Sequence, residues 1–165
     1  MQPNIIQIIK EIIMKSEHIV LPPQTVNADI NGIVIPEDMF QFYQLCGGIS
    51  LWINSPYRLD IVPFDTIVRA NPIIVGQSYE NDISFDWFII GKAQNSQYIT
   101  IDLNKNRLGK CYDSFWDRHA VVGSCSVIAL NFTELIVSIL KQKENFFWLE
   151  NDFQSLGDAY DTDIF

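Results

Sequence analysis

The chain has 165 residues, 48% hydrophobic and 13% aromatic, with 20 acidic against 11 basic side chains and a formal net charge of −9. This length fits one domain that buries about 70% of its unfolded surface, and the composition argues against global disorder. The acidic balance argues against a nucleic-acid surface, which needs clustered Lys and Arg to displace counterions, and suits either solubility or a basic partner.

Residues 4–16 are predicted as an amphipathic helix, with Asn4 as N-cap and Ile5, Ile8, Ile9, Ile12 and Ile13 as its apolar stripe. Gln7, Lys10 and Glu11 interrupt the isoleucines before the apolar core of a signal peptide can form. No apolar run reaches the ~18 residues needed to span a bilayer, so the chain reads as cytoplasmic, with no membrane partner. Residues 18–32, with Pro22 and Pro23, read as a connecting loop. The next stretch, residues 34–52, organises the rest. Pro36 suits the first turn of a helix, and Glu37 and Asp38 place negative charge at the positive end of its dipole. Met39, Phe42, Tyr43 and Cys46 then fall on one face. Gly47 can take the left-handed conformation that ends a helix, Gly48 lets the chain reverse closely, and residues 49–53 follow as a strand.

Residues 57–62 alternate well enough for a half-buried strand, and residues 65–71 suit one helical turn that Pro72 stops. Residues 73–82 are poorly patterned and read as loop or edge. Strands are predicted at 84–90, 98–103 and 108–112, joined by polar turns at 92–97 and 104–107, as an antiparallel meander. Asn131, with Glu134 three residues later, resembles a capping box, and Leu135, Ile136, Ile139 and Leu140 give the following helix its apolar face. Phe146, Phe147, Trp148 and Leu149 should fold back onto the domain. From residue 144 onward there are six acids and no Lys or Arg, so this acidic C-terminal extension, 144–165, holds six of the nine net negative charges. No second domain boundary is visible, and the chain reads as one α+β domain: a twisted, mainly antiparallel sheet with helices chiefly on one face.

Ile35-Pro36-Glu37-Asp38, the aromatic helix and Gly47-Gly48 together resemble the opening of the SMI1/KNR4 (SUKH) superfamily. The likeness returns in Phe88-Ile89-Ile90-Gly91, in residues 98–102 and 109–113, and in residues 128–135, in the family's order. Residues 92–97 depart from it: relatives often carry glycines and an aspartate after the Ile-Gly, and here the segment is polar. The resemblance implies a non-catalytic protein-binding module. Bacterial members are immunity proteins that bind and neutralise polymorphic toxins, many of them nucleases; the alternative is a regulatory scaffold linked to cell-wall synthesis, like the fungal members. Asp102 and Asp113 match positions where relatives often carry Asp.

An enzyme reading would have to use His18 or His119, and a hydrolase could assemble Ser114, His119 and Asp113 or Asp117. There is no G-x-S-x-G elbow, Walker loop, HExxH or GxGxxG, and the preferred reading of residues 113–119 is a structured loop. Cys46, Cys111 and Cys125 are odd in number and lack a CxxC pair, which argues against disulfides and zinc. No cofactor or metal is expected. For partner contact, Phe115 and Trp116 lie among Asp113 and Asp117, and aromatic residues beside charges are typical of protein-binding hot spots. The tail acids Glu150, Asp152, Asp158, Asp161 and Asp163 could steer a basic nuclease toxin, with Trp116 beside Asp117 as the buried anchor.

Overall fold

Helix α1 (Ile5–Ile13) starts where its cap predicts: the Asn4 side chain accepts a hydrogen bond from Ile6 N at 2.8 Å. The structure is a computed structural model that describes residues 4–161. Ile5, Ile8, Ile9 and Ile12 are buried, whereas Ile13 lies past the stripe and faces outward. Part of the segment expected as loop pairs into strands: β1 (Ile19–Val20) joins the main sheet, and β2 (Asp29–Ile30) and β3 (Ile33–Val34) form a separate hairpin.

Helix α2 (Glu37–Leu45) uses Pro36 as its N-cap, one position ahead of the expected first turn. Its Asp38 carboxylate accepts from Thr133 N at 2.7 Å and from Thr133 Oγ1 at 2.9 Å, fastening α2 to the first turn of a later helix. Met39, Phe42, Tyr43 and Cys46 are buried, as the spacing predicts. The two glycines exchange the roles expected of them. Gly48 takes the positive φ, +133°, and a Cβ there would lie 2.8 Å from the Ile61 carbonyl oxygen. At Gly47 a Cβ would sit 2.4 Å from the Pro22 carbonyl oxygen, so close backbone approach is what requires glycine there.

The chain continues through β4 (Ile49–Leu51), β5 (Leu59–Ile61), α3 (Ala70–Ile74), β6 (Trp87–Lys92), β7 (Tyr98–Asp102), β8 (Cys111–Ser114), β9 (Val127–Ala129) and α4 (Phe132–Lys141). Pro72 lies inside α3, correcting the expectation that it stops a helix. In the first turn a missing N–H costs nothing, because that N–H has no intrahelical acceptor. The predicted strand at 84–90 begins only at Trp87, after a 3₁₀ turn at Ile83–Asp86, and β8 lies later than the predicted 108–112. Strand β9 was not predicted. At α4, the Asn131 side chain accepts from Glu134 N at 2.8 Å, while the Glu134 carboxylate reaches Leu130 N at 2.9 Å, one residue ahead of a standard capping box.

Seven strands form one antiparallel sheet in the order β1-β4-β5-β6-β7-β8-β9, with β6, β7 and β8 as the expected meander. Helices α1, α2 and α4 bury their apolar faces against Ile49, Leu51, Ile61, Ile99 and Ile101 on one side of the sheet. On the other side Trp87, Ile89, Tyr112 and Val127 lie beneath Ala70 of α3, Cys125 and Ala159. The fold is α+β, with three of its four helices on one face. The described part of the C-terminal segment packs back: Phe146 and Trp148 join the first core, and residues 156–159 pair with 125–127 through Val127 N to Gly157 O (2.9 Å) and Ala159 N to Cys125 O (2.8 Å).

Gly48→Val adds a β-branched side chain at a positive φ and against the Ile61 carbonyl, and should lower stability by about 1–3 kcal/mol. Urea denaturation followed by circular dichroism checks this through a lower midpoint at unchanged slope; an unchanged midpoint would refute it.

Candidate partner-binding surface

Strand β8 delivers the chain to the segment 115–125, which runs from Phe115 in the first core to His119, Ala120 and Cys125 on the second face of the sheet. Asp113 is 2% exposed; its carboxylate accepts from Arg118 Nη1 at 2.6 Å and from Phe115 N at 3.2 Å. Burial pushes this carboxyl up, while Arg118 and the Phe115 N–H pull it back. Phe115 also points inward, 5% exposed, edge-on to Phe146 (5.3 Å) and Trp148 (5.7 Å). Its carbonyl accepts from Arg118 N and His119 N, at 2.8 and 2.9 Å, and so closes a helical turn.

That turn throws Trp116 outward. Its indole is 68% exposed, while its backbone N–H donates to Gln97 Oε1 at 3.1 Å. Asp117 is exposed, with Arg118 Nε at 3.9 Å. Beyond it Val121 and Val122 also face solvent. Ala120 and Gly123 have positive φ (56° and 82°), and the loop ends at Cys125, whose N–H donates to the Asp158 carboxylate at 3.0 Å. An open cleft of about 430 Å³ runs between this loop and Trp148 and Leu149, with Asp117, Arg118 and Ser124 on its other wall.

The structure thus brings the 113–119 segment together with the start of the acidic tail. Trp116 and Asp117 stand at the surface; Asp113 and Phe115 lie beneath it and shape the turn. Glu150 is half-buried and follows the cleft wall at Leu149; Asp152 is exposed in a depression that Phe147, Phe153 and Lys141 also line. Asp158 is occupied internally, accepting from Cys125 N and Tyr160 N, and the Asp161 carboxylate accepts from Asp158 N at 2.9 Å. Asp163 lies outside the described residues. A second cleft, about 290 Å³, separates Arg107, Lys110 and Tyr112 from Tyr160 and Asp161; its mixed charge favours no one class of ligand.

Ser114 and His119 do meet: His119 Nδ1 is 3.0 Å from Ser114 Oγ, and Nε2 is 2.7 Å from Asn71 Oδ1. Both side chains are buried, and Asp113 and Asp117 turn toward Arg118 rather than toward the imidazole. Burial lowers the imidazole to about 4, the nearby Asp82 charge opposing that shift, so the ring is neutral at pH 7. A buried serine on a weakly basic imidazole is a structural contact, with no route to a substrate carbonyl. Among the described residues no three of His, Cys, Asp and Glu converge on a point where a metal ion could bind, and no helix is long and apolar enough to cross a membrane. Gln97, Asn71 and Trp148, which hold or line the surface, escaped sequence reasoning, since each reaches the loop from 19 or more residues away.

Residues 24–138 match the SMI1/KNR4 family (SUKH-1). The chain is 49% identical over 128 residues to immunity protein YokJ of Bacillus subtilis (strain 168), an alignment that covers 77% of this chain and 78% of that protein. No solved structure gives a significant match. The family match contains the 115–125 segment and ends before the acidic tail.

The folded value of His119 lies below its unfolded value of about 6.5, so as pH falls the unfolded chain takes up the proton first. This group's contribution is therefore complete above pH ~6.5, falls as pH drops toward 4, and levels off below that. A depression of this size corresponds to roughly 3 kcal/mol. Between pH 7 and 4 the wild type should lose about that much more stability than His119→Gln, measured by urea unfolding at each pH. Parallel pH profiles would contradict this.

Proposed function

The chain belongs to the SMI1/KNR4 family (SUKH-1), and we propose that it is an immunity protein that binds and neutralises a cognate protein toxin in the cytoplasm. Its identity to a protein named as an immunity protein favours this reading. The structural observation that carries it is Trp116, a large aromatic side chain held in the open at 68% exposure by a turn that buries Phe115 and His119. A solvated indole on an ordered backbone costs little further entropy when a partner covers it, and Trp is the residue type most enriched at binding hot spots. Asp117 gives it an acidic rim, and the tail acids, Glu150 next to the cleft wall at Leu149 and Asp152 and Asp161 on two other clefts, add negative charge at longer range, with Asp163 in the same stretch. Nuclease toxins must be basic to hold phosphates, so such a rim competes for the surface they use on nucleic acid.

The role is binding rather than catalysis: the Ser114–His119 contact is sealed inside the fold, and the groups exposed beside it are an indole, aliphatic side chains and a carboxylate. Contact with nucleic acid would be indirect, through the toxin.

Two measurements with the cognate toxin test the reading. Trp116→Ala should speed dissociation about thirty-fold, the equivalent of the roughly 2 kcal/mol lost at a hot spot. Changing Glu150, Asp152 and Asp161 together to their amides should slow association several-fold at low salt, with no difference at 1 M, where the Debye length is about 3 Å. If no protein toxin is bound and neutralised, the immunity reading fails. If one is bound with Trp116→Ala unaltered, the surface lies elsewhere.

A further inference from the structure

We propose that His119 is the positioning residue of this surface, fixing the 116–124 loop in its binding conformation through a directed chain of hydrogen bonds; this rests on the reading of Trp116 as the anchor. Of the nine residues from Trp116 to Ser124, His119 alone is buried, 4% exposed. Every other side chain of the loop is exposed or half-buried, so His119 is its one fully buried hold on the sheet, beside the Arg118–Asp113 ion pair and the Trp116 N–H bond to Gln97.

The neighbours dictate how that imidazole is held. Asn71 Nδ2 donates to Ser84 Oγ at 2.9 Å, which leaves Asn71 Oδ1 as the acceptor facing His119 Nε2 at 2.7 Å. Nε2 therefore carries the hydrogen and Nδ1 is bare. The Ser114 hydroxyl must then donate to Nδ1 across 3.0 Å, and having used its hydrogen it accepts from the Thr100 hydroxyl at 2.7 Å. The donors run one way: Thr100 to Ser114 to His119 to Asn71 to Ser84. The chain begins on β7, crosses β8, passes through the loop and ends on the 3₁₀ turn before β6, with α3 supplying Asn71. The Trp87 ring meets the imidazole edge-on at 5.6 Å and closes the apolar side.

Beside this anchor the backbone is strained. Ala120 has φ +56°, a conformation that costs a residue with a Cβ, and its carbonyl lies 3.4 Å from the Tyr160 hydroxyl, which donates to Asp82 at 2.8 Å. The loop holds this geometry only while its anchor over-determines it. Burial keeps the ring neutral at pH 7, so the single hydrogen of the imidazole stays on the side that Asn71 requires.

The 165-residue chain labelled with 5-fluorotryptophan tests this without any partner. Its four tryptophans give four ¹⁹F lines, and the line lost in Trp116→Phe belongs to Trp116. In the wild type that line should be single and sharp. In His119→Leu it should split or broaden, with Trp52 and Trp148 keeping their folded shifts. His119→Gln, whose amide can still donate to Asn71 but places no acceptor where Nδ1 faces Ser114, should fall between. Association with the toxin should slow about tenfold in His119→Leu if only a tenth of the loops remain competent. A Trp116 line unchanged in shift and width in a folded His119→Leu protein overturns the proposal; should that variant not fold, an unchanged line in His119→Gln does so. Neither result depends on what Trp116 binds, which the dissociation rate of Trp116→Ala decides separately.

Discussion

The structure depends on the three residues in which helix α2 becomes strand β4. Cys46 is already extended, Gly47 donates its N–H to the Leu21 carbonyl, and the Gly48 carbonyl accepts from Leu21 N, both at 2.9 Å. Backbone therefore closes in from β1 on one side, while the Ile61 carbonyl closes in from β5 on the other. Two glycines are the only pair that fits, because each flank lies nearer than a Cβ can approach. The turn lays α2 straight across the sheet, and Phe42 and Tyr43, each worth about 1.5–3 kcal/mol on burial, share a core with Ile49 and Leu51. The Tyr43 hydroxyl donates to the Val62 carbonyl at 2.7 Å and locks the same corner from the helix side.

That corner makes the two faces of the sheet unlike. The face under α1, α2 and α4 is mainly apolar, as three amphipathic helices demand. Among the described residues the opposite face has no long helix. It is covered by the five-residue α3, the 115–125 segment and the returning tail, none of which can supply a broad apolar stripe. Polar side chains are buried there instead, and each finds partners: Asp102 accepts from Trp87 Nε1, Tyr112 Oη, Arg107 Nε and Asn104 N, within 2.7–3.1 Å. Burial pushes the Asp102 carboxyl up, and Arg107 together with the other donors opposes it. A carboxylate with four donors serves as a nucleus for irregular chain, since it satisfies backbone and side chains at once.

How much could be read from the sequence follows the same division. Helices α1 and α4 were legible because their caps and stripes lie within a dozen residues, and the β6–β8 meander because its turns are polar and β6 and β7 carry isoleucines, although β8 starts three residues later than expected. The Gly47–Gly48 pair marked the turn, yet the sequence does not carry which of the two has the positive φ; the positions of Pro22 and Ile61 decide that. Pro72 suggested a stop because its rank within a helical turn depends on where Arg69 ends the preceding extended chain. On the second face little was legible. The cluster Asp113 to Asp117 displays aromatic and charged residues in a row, and composition cannot tell which face inward. Once β8 runs through Ser114 and Phe115 enters the aromatic stack, Trp116 must leave it. The acidic tail likewise reads as one uniform run, although Asp158 caps Cys125 and Tyr160 within the fold while Asp152 faces solvent.

The polar seat of the loop also has a physical reason. Val121 and Val122 could have turned inward, but an apolar contact is non-directional and tolerates sliding and rotation, so a loop seated that way would sample several poses. A chain of hydrogen bonds with one allowed direction tolerates a single pose, because any slip leaves a buried donor or acceptor unmade at about 1–3 kcal/mol each. That penalty matches or exceeds the roughly 1–2 kcal/mol of left-handed strain at Ala120. The aliphatic side chains are left facing outward beside Trp116, where a partner can bury them. Directional bonds beneath and apolar groups above give the loop a fixed shape before anything binds, which is the arrangement that keeps the entropy cost of recognition low.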